Sequence, residues 1–154
     1  MQSCIILYII DIINYNISKF MTQEEKDLLL KDLCARLPYF TKVQIKNEIV
    51  VLDSICDDDG YHFNFIGDDR EGVNIEQIKP YLFPLSSMTD EEHAIYFKIW
   101  EDIGKMAYLE GCHHLICTIR AYKAANDYLI SKHYDVNGLI PMGLANDATG
   151  LNIY

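Results

Sequence analysis

The stretch Ile78-Lys-Pro-Tyr-Leu-Phe-Pro-Leu-Ser-Ser-Met-Thr89 separates two parts of this chain that differ in their secondary-structure pattern. The residues before it have the pattern of short strands and turns, and those after it have the pattern of helices. Pro80 lacks the N–H that a sheet ladder needs, so strand pairing is expected to fade there. Thr89 and Glu92 have the spacing of a capping box, which predicts that a helix begins at this end.

The apolar residues in the middle of this stretch allow two interpretations. A packed crossover from sheet to helix would bury Tyr81, Leu82 and Phe83, and connectors of this kind are usually structural. A docking edge would instead leave the two aromatic rings exposed. The burial of Tyr81 and Phe83 distinguishes the two interpretations.

The composition is that of a globular protein. A chain of 154 residues is predicted to form one domain with a real core. Half of the residues are hydrophobic and 23% are charged, which excludes a disordered chain. The formal net charge is −10, and the thirteen Lys and Arg residues are scattered. Direct nucleic-acid binding is therefore disfavoured, whereas a basic partner would suit this surface.

The five cysteines show no disulfide pattern. Their number is odd and their spacing is irregular: Cys4, Cys34, Cys56, Cys112 and Cys117. Free thiols are typical of a reducing compartment, so a cytoplasmic location is expected.

Residues 1–20 differ in composition from the rest of the chain. Ile, Asn, Tyr, Lys and Phe make up 13 of these 20 residues, the bias expected when an AU-rich upstream region is read as protein. A signal peptide would need a basic segment before its apolar run, but Lys19 follows that run. Asp11 interrupts the run, which opposes a membrane helix. We therefore expect translation to start at Met21, with 21–154 forming a single α+β domain and no membrane association.

The first helix is predicted over residues 22–37. Thr22 and Glu25 have capping-box spacing, and Pro38 is expected to end the helix. A leucine stripe on one side predicts that this helix packs on the core: Leu29, Leu33 and Leu37.

Residues 41–79 are predicted to form three or four antiparallel strands. The alternation of Val43 and Ile45 with polar residues indicates a strand, followed by a turn at Asn47. Asp59-Gly60 predicts a second hairpin, after which three aromatic residues alternate: Tyr61, Phe63 and Phe65. A further turn at residues 68–72 leads to the last apolar group of this part, Val73, Ile75 and Ile78. The predicted fold is α+β: an N-terminal helix, a small antiparallel meander or SH3-like barrel of three to five strands, and two C-terminal helices.

The acidic run Asp57-Asp58-Asp59 raises the question of a calcium loop. An EF-hand would need acidic residues where Ile55 and Ile66 stand, so the pattern fails. The run is interpreted as ordinary turn residues.

Two helices and an apolar tail are predicted after Thr89. The longer helix spans residues 89–110, with Gly111 after its end. One side of it is apolar and is predicted to pack in the core: Ile95, Tyr96, Ile99, Trp100, Ile103 and Met106. The last helix is predicted from about Thr118 to His133. The tail 138–145 is expected to pack back on the domain, and its alternative role is a partner-binding segment.

The segment Cys112-His113-His114-Leu115-Ile116-Cys117 is the one cluster of metal-binding residue types in the sequence. Its spacing is not that of a zinc half-site, and adjacent side chains point in different directions. A Cys–His nucleophile is possible by composition, but no orienting residue or oxyanion donor can be identified. No catalytic, cofactor-binding or metal-binding residue is therefore assigned.

Three segments resemble a family of short, functionally uncharacterised proteins of Bacteroides-group gut bacteria that are common on prophages and other mobile elements. They are Met21–Tyr39, Ile78–Thr89, and the C-terminal part from Asp127 through 132–135 and 138–145 to Tyr154. The resemblance supports a start at Met21. The family has Gly where Phe40 stands, which argues against a tight turn after Tyr39. It has Trp where Tyr128 stands, which implies a tolerated exchange in the core.

Three functions are consistent with these features. The first is a non-catalytic interaction or accessory protein of a phage or mobile element, with a host or phage protein as partner. The second is a small metal protein or enzyme that uses residues 112–117. The third is an acidic DNA mimic, which would need carboxylates arrayed on one face.

Overall fold

The computed structural model describes residues 21–57, 60–109 and 114–154. Residues 1–20, on which the expected start at Met21 depends, lie outside these ranges. The described residues form an α+β fold of three α-helices and one five-stranded, mostly antiparallel sheet. None of the described helices is long and apolar enough to cross a membrane.

The first helix, α1, spans Gln23–Arg36, and its predicted capping box is confirmed. Thr22 Oγ1 accepts a hydrogen bond from the Glu25 backbone at 3.2 Å, and Glu25 Oε2 accepts one from the Thr22 backbone at 2.7 Å. Leu29 and Leu33 are completely buried, as the leucine stripe predicted. After Arg36 the chain continues as a 3-10 turn, Leu37–Tyr39.

The two positions that differ from the resembled family have different outcomes. Phe40 adopts the left-handed conformation (φ 52°, ψ 47°), so the tight turn after Tyr39 forms and the expectation against it was wrong. The turn forms because the buried elements on both sides of it fix the path of the chain, and the Phe40 ring stays 65% exposed. Tyr128 is half-buried, and its shielded hydroxyl has no hydrogen-bond partner among the described residues, so a less polar ring would fit there.

The sheet has the strand order β3-β2-β1-β4-β5. Its strands are β1 (Lys42–Ile45), β2 (Glu48–Asp57), β3 (Tyr61–Phe65), β4 (Ile78–Leu82) and β5 (Asn146–Asp147). The first three form the predicted antiparallel meander. β4 then crosses to the free side of β1, and the short β5 adds to β4 in parallel.

The predicted turns between strands are confirmed in two of three places; the third was expected at residues 68–72 and lies instead at residues 66–67. Ile45 pairs with Glu48, which closes a two-residue turn, and Asp57 pairs with Tyr61 across the turn that contains Gly60. Gly60 has φ +109°, the region for which glycine was expected. Residues 58 and 59 of the acidic run lie outside the described residues.

The residues before β4 differ from the prediction, because Val73 and Ile75 lie outside any strand. Asn74 instead caps a 3-10 turn, Ile75–Gln77. Its side chain accepts from the Glu76 backbone at 3.2 Å, and the Gln77 side chain accepts from the Asn74 backbone at 2.9 Å. These local side-chain bonds compete with sheet pairing and replace it here.

The dividing stretch forms the second-to-last strand of the sheet. Its ladder to β1 ends at the pair Val43–Pro80, so the predicted fading of strand pairing is confirmed on that side. On the other side it is wrong, because the strand continues past Pro80 by pairing with β5 and then with the segment after the last helix. Tyr81 and Leu82 are buried and Phe83 is half-buried, which confirms the packed crossover.

The main core lies between α1, the sheet and the C-terminal tail. Its members are Leu29, Leu33, Val43, Ile45, Leu52, Phe63, Phe65, Ile78, Leu82, Leu139, Leu144 and Ala145. Three of them belong to residues 138–145, so the prediction that the tail packs back is confirmed.

The last two helices form a hairpin. They are α2 (Asp90–Leu109) and α3 (His114–Ser131), which pack against each other. The cap of α2 is confirmed, since Thr89 Oγ1 accepts from the Glu92 backbone at 3.2 Å. α3 begins four residues earlier than predicted, because Leu115 and Ile119 continue the helical apolar spacing of Tyr122.

The hairpin is less buried than the apolar pattern of α2 predicted. Ile99 and Ile103 are half-buried, whereas Ile95 and Met106 are exposed. Among the side chains that the structure describes, the main core includes none from either helix. The prediction that this apolar side packs in the core was therefore wrong for part of it, because the two helices bury each other rather than lying over the sheet.

Candidate functional site

The end of α3 is attached to α1 through a buried ion pair. Arg36 donates to both carboxylate oxygens of Asp32, at 2.6 and 3.0 Å, and both side chains are fully buried. The same guanidinium donates to the Tyr134 carbonyl at 2.8 Å, and Asn137 donates to Asp32 at 2.8 Å. A buried charge needs such complete pairing. The pair therefore fixes the position of the segment 130–137 relative to α1.

This segment then pairs with the end of the dividing stretch. The Phe83 backbone donates to the His133 carbonyl at 2.9 Å, and the Asp135 backbone donates to the Phe83 carbonyl at 2.8 Å. Asp135 also accepts from the backbones of Leu139 and Ile140 at 2.8 and 2.9 Å. The side chains of residues 133–135 are consequently held on rigid backbone.

The last residue of the chain covers His133. The rings of His133 and Tyr154 are stacked at 3.8 Å with an angle of 13° between them. The Tyr154 hydroxyl donates to the Tyr81 carbonyl at 2.9 Å and accepts from the Lys42 backbone at 3.0 Å. Thr41 Oγ1 lies 3.4 Å from His133 Nδ1. His133 is thus enclosed between the sheet and the C terminus.

Enclosure changes the acid–base properties of both rings. Burial, followed by the positive charges of Arg36, Lys42 and Lys132, lowers the pKa of His133 to about 4. Burial raises the pKa of Tyr154 to about 12. Both side chains are therefore neutral at physiological pH.

An open cleft of about 510 Å³ lies beside this pair, between the start of α2, residues 131–134 and the tail. Glu92 Oε2 accepts from the Tyr134 hydroxyl at 2.7 Å and from the Thr89 hydroxyl at 2.8 Å. Desolvation by burial raises the pKa of Glu92, but the hydrogen bonds from Thr89 and Tyr134 outweigh it and the net pKa is lowered. The pKa of Tyr134 is raised by burial and by the same hydrogen bond. The Glu92 carboxylate is therefore ionised, and the hydroxyls of Thr89 and Tyr134 both donate to it.

The two serine hydroxyls of this cleft are engaged in local bonds. Ser87 donates to the Pro84 carbonyl and Ser131 donates to the Tyr128 carbonyl, each at 2.7 Å. A nucleophilic serine would instead bond to a base that can take its proton. Among the residues that the structure describes, the cleft therefore lacks an activated serine.

A second cleft of about 630 Å³ lies beside the β1–β2 turn. Arg70 bridges Asp68 and Glu48 there. The hydrogen bond to Arg70 lowers the pKa of Asp68, and the bonds to both carboxylates raise the pKa of Arg70. These partly buried pairs link the turn to the loop 68–72 and have a structural role.

The Cys/His cluster can be located only in part. Cys112 and His113 lie outside the described residues, His114 begins α3, and Cys117 is half-buried. Across the described ranges, no group of three or more His, Cys, Asp or Glu side chains is placed to hold a metal. A role for residues 112–117 stays a prediction.

Much of the exposed apolar surface of the described residues lies on the helical hairpin. Leu115, Ile119 and Tyr122 follow one another at spacings of four and three residues, so they share one side of α3. Phe97 and Trp100 share one side of α2 in the same way, and the Trp100 ring meets the Tyr122 ring at 6.5 Å. We call these five residues the hairpin face.

The hairpin face is open to solvent. Phe97 is 61% exposed, Leu115 64%, Ile119 58% and Tyr122 63%, while Trp100 is half-buried. The sequence pattern shows these residues as apolar positions of helices. It did not show that their side would be left uncovered, because that depends on what packs against the helices.

Comparison of the chain with protein-family models, with curated proteins and with solved structures found no match.

Proposed function

We propose that this chain is a non-catalytic interaction protein, an accessory factor of a phage or mobile element, and that the hairpin face is its protein-binding surface. The observation that carries the proposal is the exposure of four large apolar side chains on two adjacent helices, three of them on one side of α3. Large apolar patches on a protein of this size commonly mark binding sites. The phage or mobile-element context comes from the family resemblance of the sequence.

The area of the face supports this proposal. Side chains of this size carry roughly 150–250 Å² each, and the four exposed ones are 58–64% accessible. They therefore present on the order of 500 Å², the upper part of the range found on monomeric proteins. Aromatic residues such as Phe97, Trp100 and Tyr122 are also the types enriched at interfaces.

The chemistry of the clefts supports the same choice. The cleft beside His133 contains a histidine that stays neutral to about pH 4 and two serines bonded to backbone carbonyls. General acid–base catalysis needs a group that titrates near the working pH and reaches a substrate. The described part of this cleft is better suited to holding the fold together.

Affinity purification tests the proposal. Tagged wild-type protein is incubated with lysate of a Bacteroides-group host, alongside a variant that carries Ile119→Ser and Tyr122→Ser. Both positions are exposed, so each substitution should change stability by no more than about 0.5 kcal/mol. We expect the wild type to retain a stable partner and the variant to lose at least about tenfold of it.

The matched control carries Ile66→Ser and Met142→Ser, two exposed apolar residues away from the hairpin. It should retain the partner as the wild type does. Equal recovery by the hairpin variant would contradict the proposal, and so would a wild type that neither retains a partner nor associates with itself.

A further inference from the structure

We infer that a second copy of this chain occupies the hairpin face, with two hairpins packing into a four-helix bundle about a twofold axis. This inference deepens the proposed function and rests on it in using the same face. A layer of two adjacent helices with an apolar stripe shared between them is half of such a bundle. A twofold contact needs one self-complementary surface, and the hairpin face supplies the same five residues to both sides.

The area is sufficient for a specific dimer. Each copy would contribute on the order of 500 Å² of apolar side chain from Phe97, Leu115, Ile119 and Tyr122. Two copies bury twice that, or about 1,000 Å², which reaches the size expected of a biological interface. Trp100 and the polar borders of the face would add to this area.

The charges of the two helices select the orientation. α2 carries five carboxylates and two lysines, whereas α3 carries Arg120, Lys123 and one carboxylate. If the twofold axis runs along the helices, α2 of one copy lies against α3 of the other. Acidic and basic helices then face each other twice, whereas an axis across the helices would place α2 against α2.

The charged residues at the borders of the hairpin face agree with this orientation. Glu101 lies one turn after Phe97 on α2, and Lys123 lies one turn after Ile119 on α3. Both are exposed and now pair within their own helices, Glu101 with Lys105 at 3.5 Å and Lys123 with Asp127 at 2.9 Å. In the orientation chosen by charge, Glu101 of one copy borders Lys123 of the other.

Sedimentation equilibrium of the full chain over a wide concentration range tests the inference. The wild type is expected to form a dimer, and Ile119→Ser with Tyr122→Ser is expected to raise the dissociation constant by at least about tenfold. The Ile66→Ser, Met142→Ser control should dimerise as the wild type does. A wild type that is monomeric throughout, or a dimer that survives the hairpin substitutions, would overturn the inference.

A charge exchange tests the orientation. Glu101→Lys and Lys123→Glu should each weaken the dimer several-fold, and the two together should restore it, because the exchanged charges again face each other. A double variant whose dimer is weakened by the sum of the two single effects would overturn the orientation.

The fluorescence of Trp100 tests the interface in the wild type, without any substitution. The emission reports on this ring alone, because Trp100 is the only tryptophan of the chain. Dilution of the wild type should shift its emission to the red as the ring becomes exposed. An emission that stays constant while the dimer dissociates would place the interface elsewhere. A wild type that is monomeric but captures a partner through Ile119 and Tyr122 would overturn the inferred dimer and leave the proposed function intact.

Discussion

At the scale of single residues, the most constrained group is the ion pair of Asp32 and Arg36. Both side chains are charged residues of a helix, and the sequence pattern alone does not distinguish them from solvated ones. The structure buries them completely because Arg36 supplies donors to carbonyls of Ile130 and Tyr134, almost a hundred residues away. Their role is therefore set by tertiary contacts.

Breaking this pair should be costly. Arg36→Met leaves the Asp32 carboxylate buried without its partner, and we expect the free energy of unfolding to fall by about 3–5 kcal/mol. Urea denaturation measures the change. Asp32→Leu combined with Arg36→Met should cost less than Arg36→Met alone, because no unpaired charge remains. Lys123→Met, which breaks an exposed pair, should leave the stability of the monomer nearly unchanged.

Phe40 is a residue at which the chain carries local strain. A side chain in the left-handed region costs roughly 1–2 kcal/mol, which glycine avoids. Phe40→Gly should therefore raise the free energy of unfolding by up to about 1 kcal/mol, after the entropy that glycine adds to the unfolded chain. Phe40→Ala removes the exposed ring but keeps the strain. If Ala stabilises as much as Gly, strain is not the cause.

His133 should make stability depend on pH. Its pKa is about 4 in the folded protein and about 6.5 when unfolded, so the unfolded chain binds the proton first as the pH falls. This contribution to stability is complete well above pH 6.5 and is lost as the pH falls from there to about 4, by about 3 kcal/mol. His133→Asn, which tolerates the left-handed backbone at this position, should remove this part of the slope. Identical pH profiles for both proteins would contradict the assignment.

At the scale of elements, the helix starts were predictable because their signals are local. The Thr22–Glu25 and Thr89–Glu92 boxes join residues three apart, and both form as the sequence indicated. The course of β4 beyond Pro80 was not predictable in the same way. Proline removes one donor, but β4 has two sides, and the partner on its other side comes from residues 134 and 146–147.

The cap of α1 should contribute measurably to the whole fold, because the helix carries Leu29 and Leu33 into the main core. Thr22→Ala removes the acceptor for the Glu25 backbone and should lower the free energy of unfolding by about 1 kcal/mol. Thr22→Asp keeps an acceptor and should stay close to the wild type. A Thr22→Ala protein with an unchanged free energy of unfolding would show that the cap does not contribute to stability.

The exposed apolar side chains of the hairpin show what an amphipathic sequence pattern cannot predict. Spacing identifies which residues share a side, and it identified Ile99, Trp100 and Ile103 as such a set. It does not identify what covers that side. The described structure leaves Ile119 and Tyr122 exposed to solvent. We propose that another protein chain covers them.

At the scale of the whole molecule, residues 153 and 154 close the fold. Tyr154 bonds to β1 and β4 and stacks on His133, and the Lys42 ammonium donates to the Ile153 carbonyl. Residues 154 and 42 are distant in sequence, so this closure is a property of the assembled domain.

Removing the Tyr154 ring should therefore destabilise the protein, by less than a core substitution because the residue is 42% exposed. Tyr154→Ala is expected to cost about 2 kcal/mol, and Tyr154→Phe, which loses only the hydroxyl, about 1 kcal/mol. Thermal and urea unfolding measure both. Leu151→Ala, at a similarly exposed position of the same tail, removes a side chain that has neither a stacked ring nor a hydroxyl bond, and should be nearly neutral. A Tyr154→Ala protein as stable as Leu151→Ala would show that the terminus does not close the fold.

The α+β class, the helix caps, the two hairpin turns and the inward packing of the tail could be predicted from the order of the residues. These features depend on contacts between near neighbours or on the period of apolar residues. The burial of Asp32 and Arg36, the stacking of Tyr154 on His133 and the position of β4 inside the sheet became visible only in the folded domain. So did the open apolar side of the hairpin. Each of these depends on residues far apart in the chain, whose meeting follows from the packing of the whole domain rather than from any local pattern.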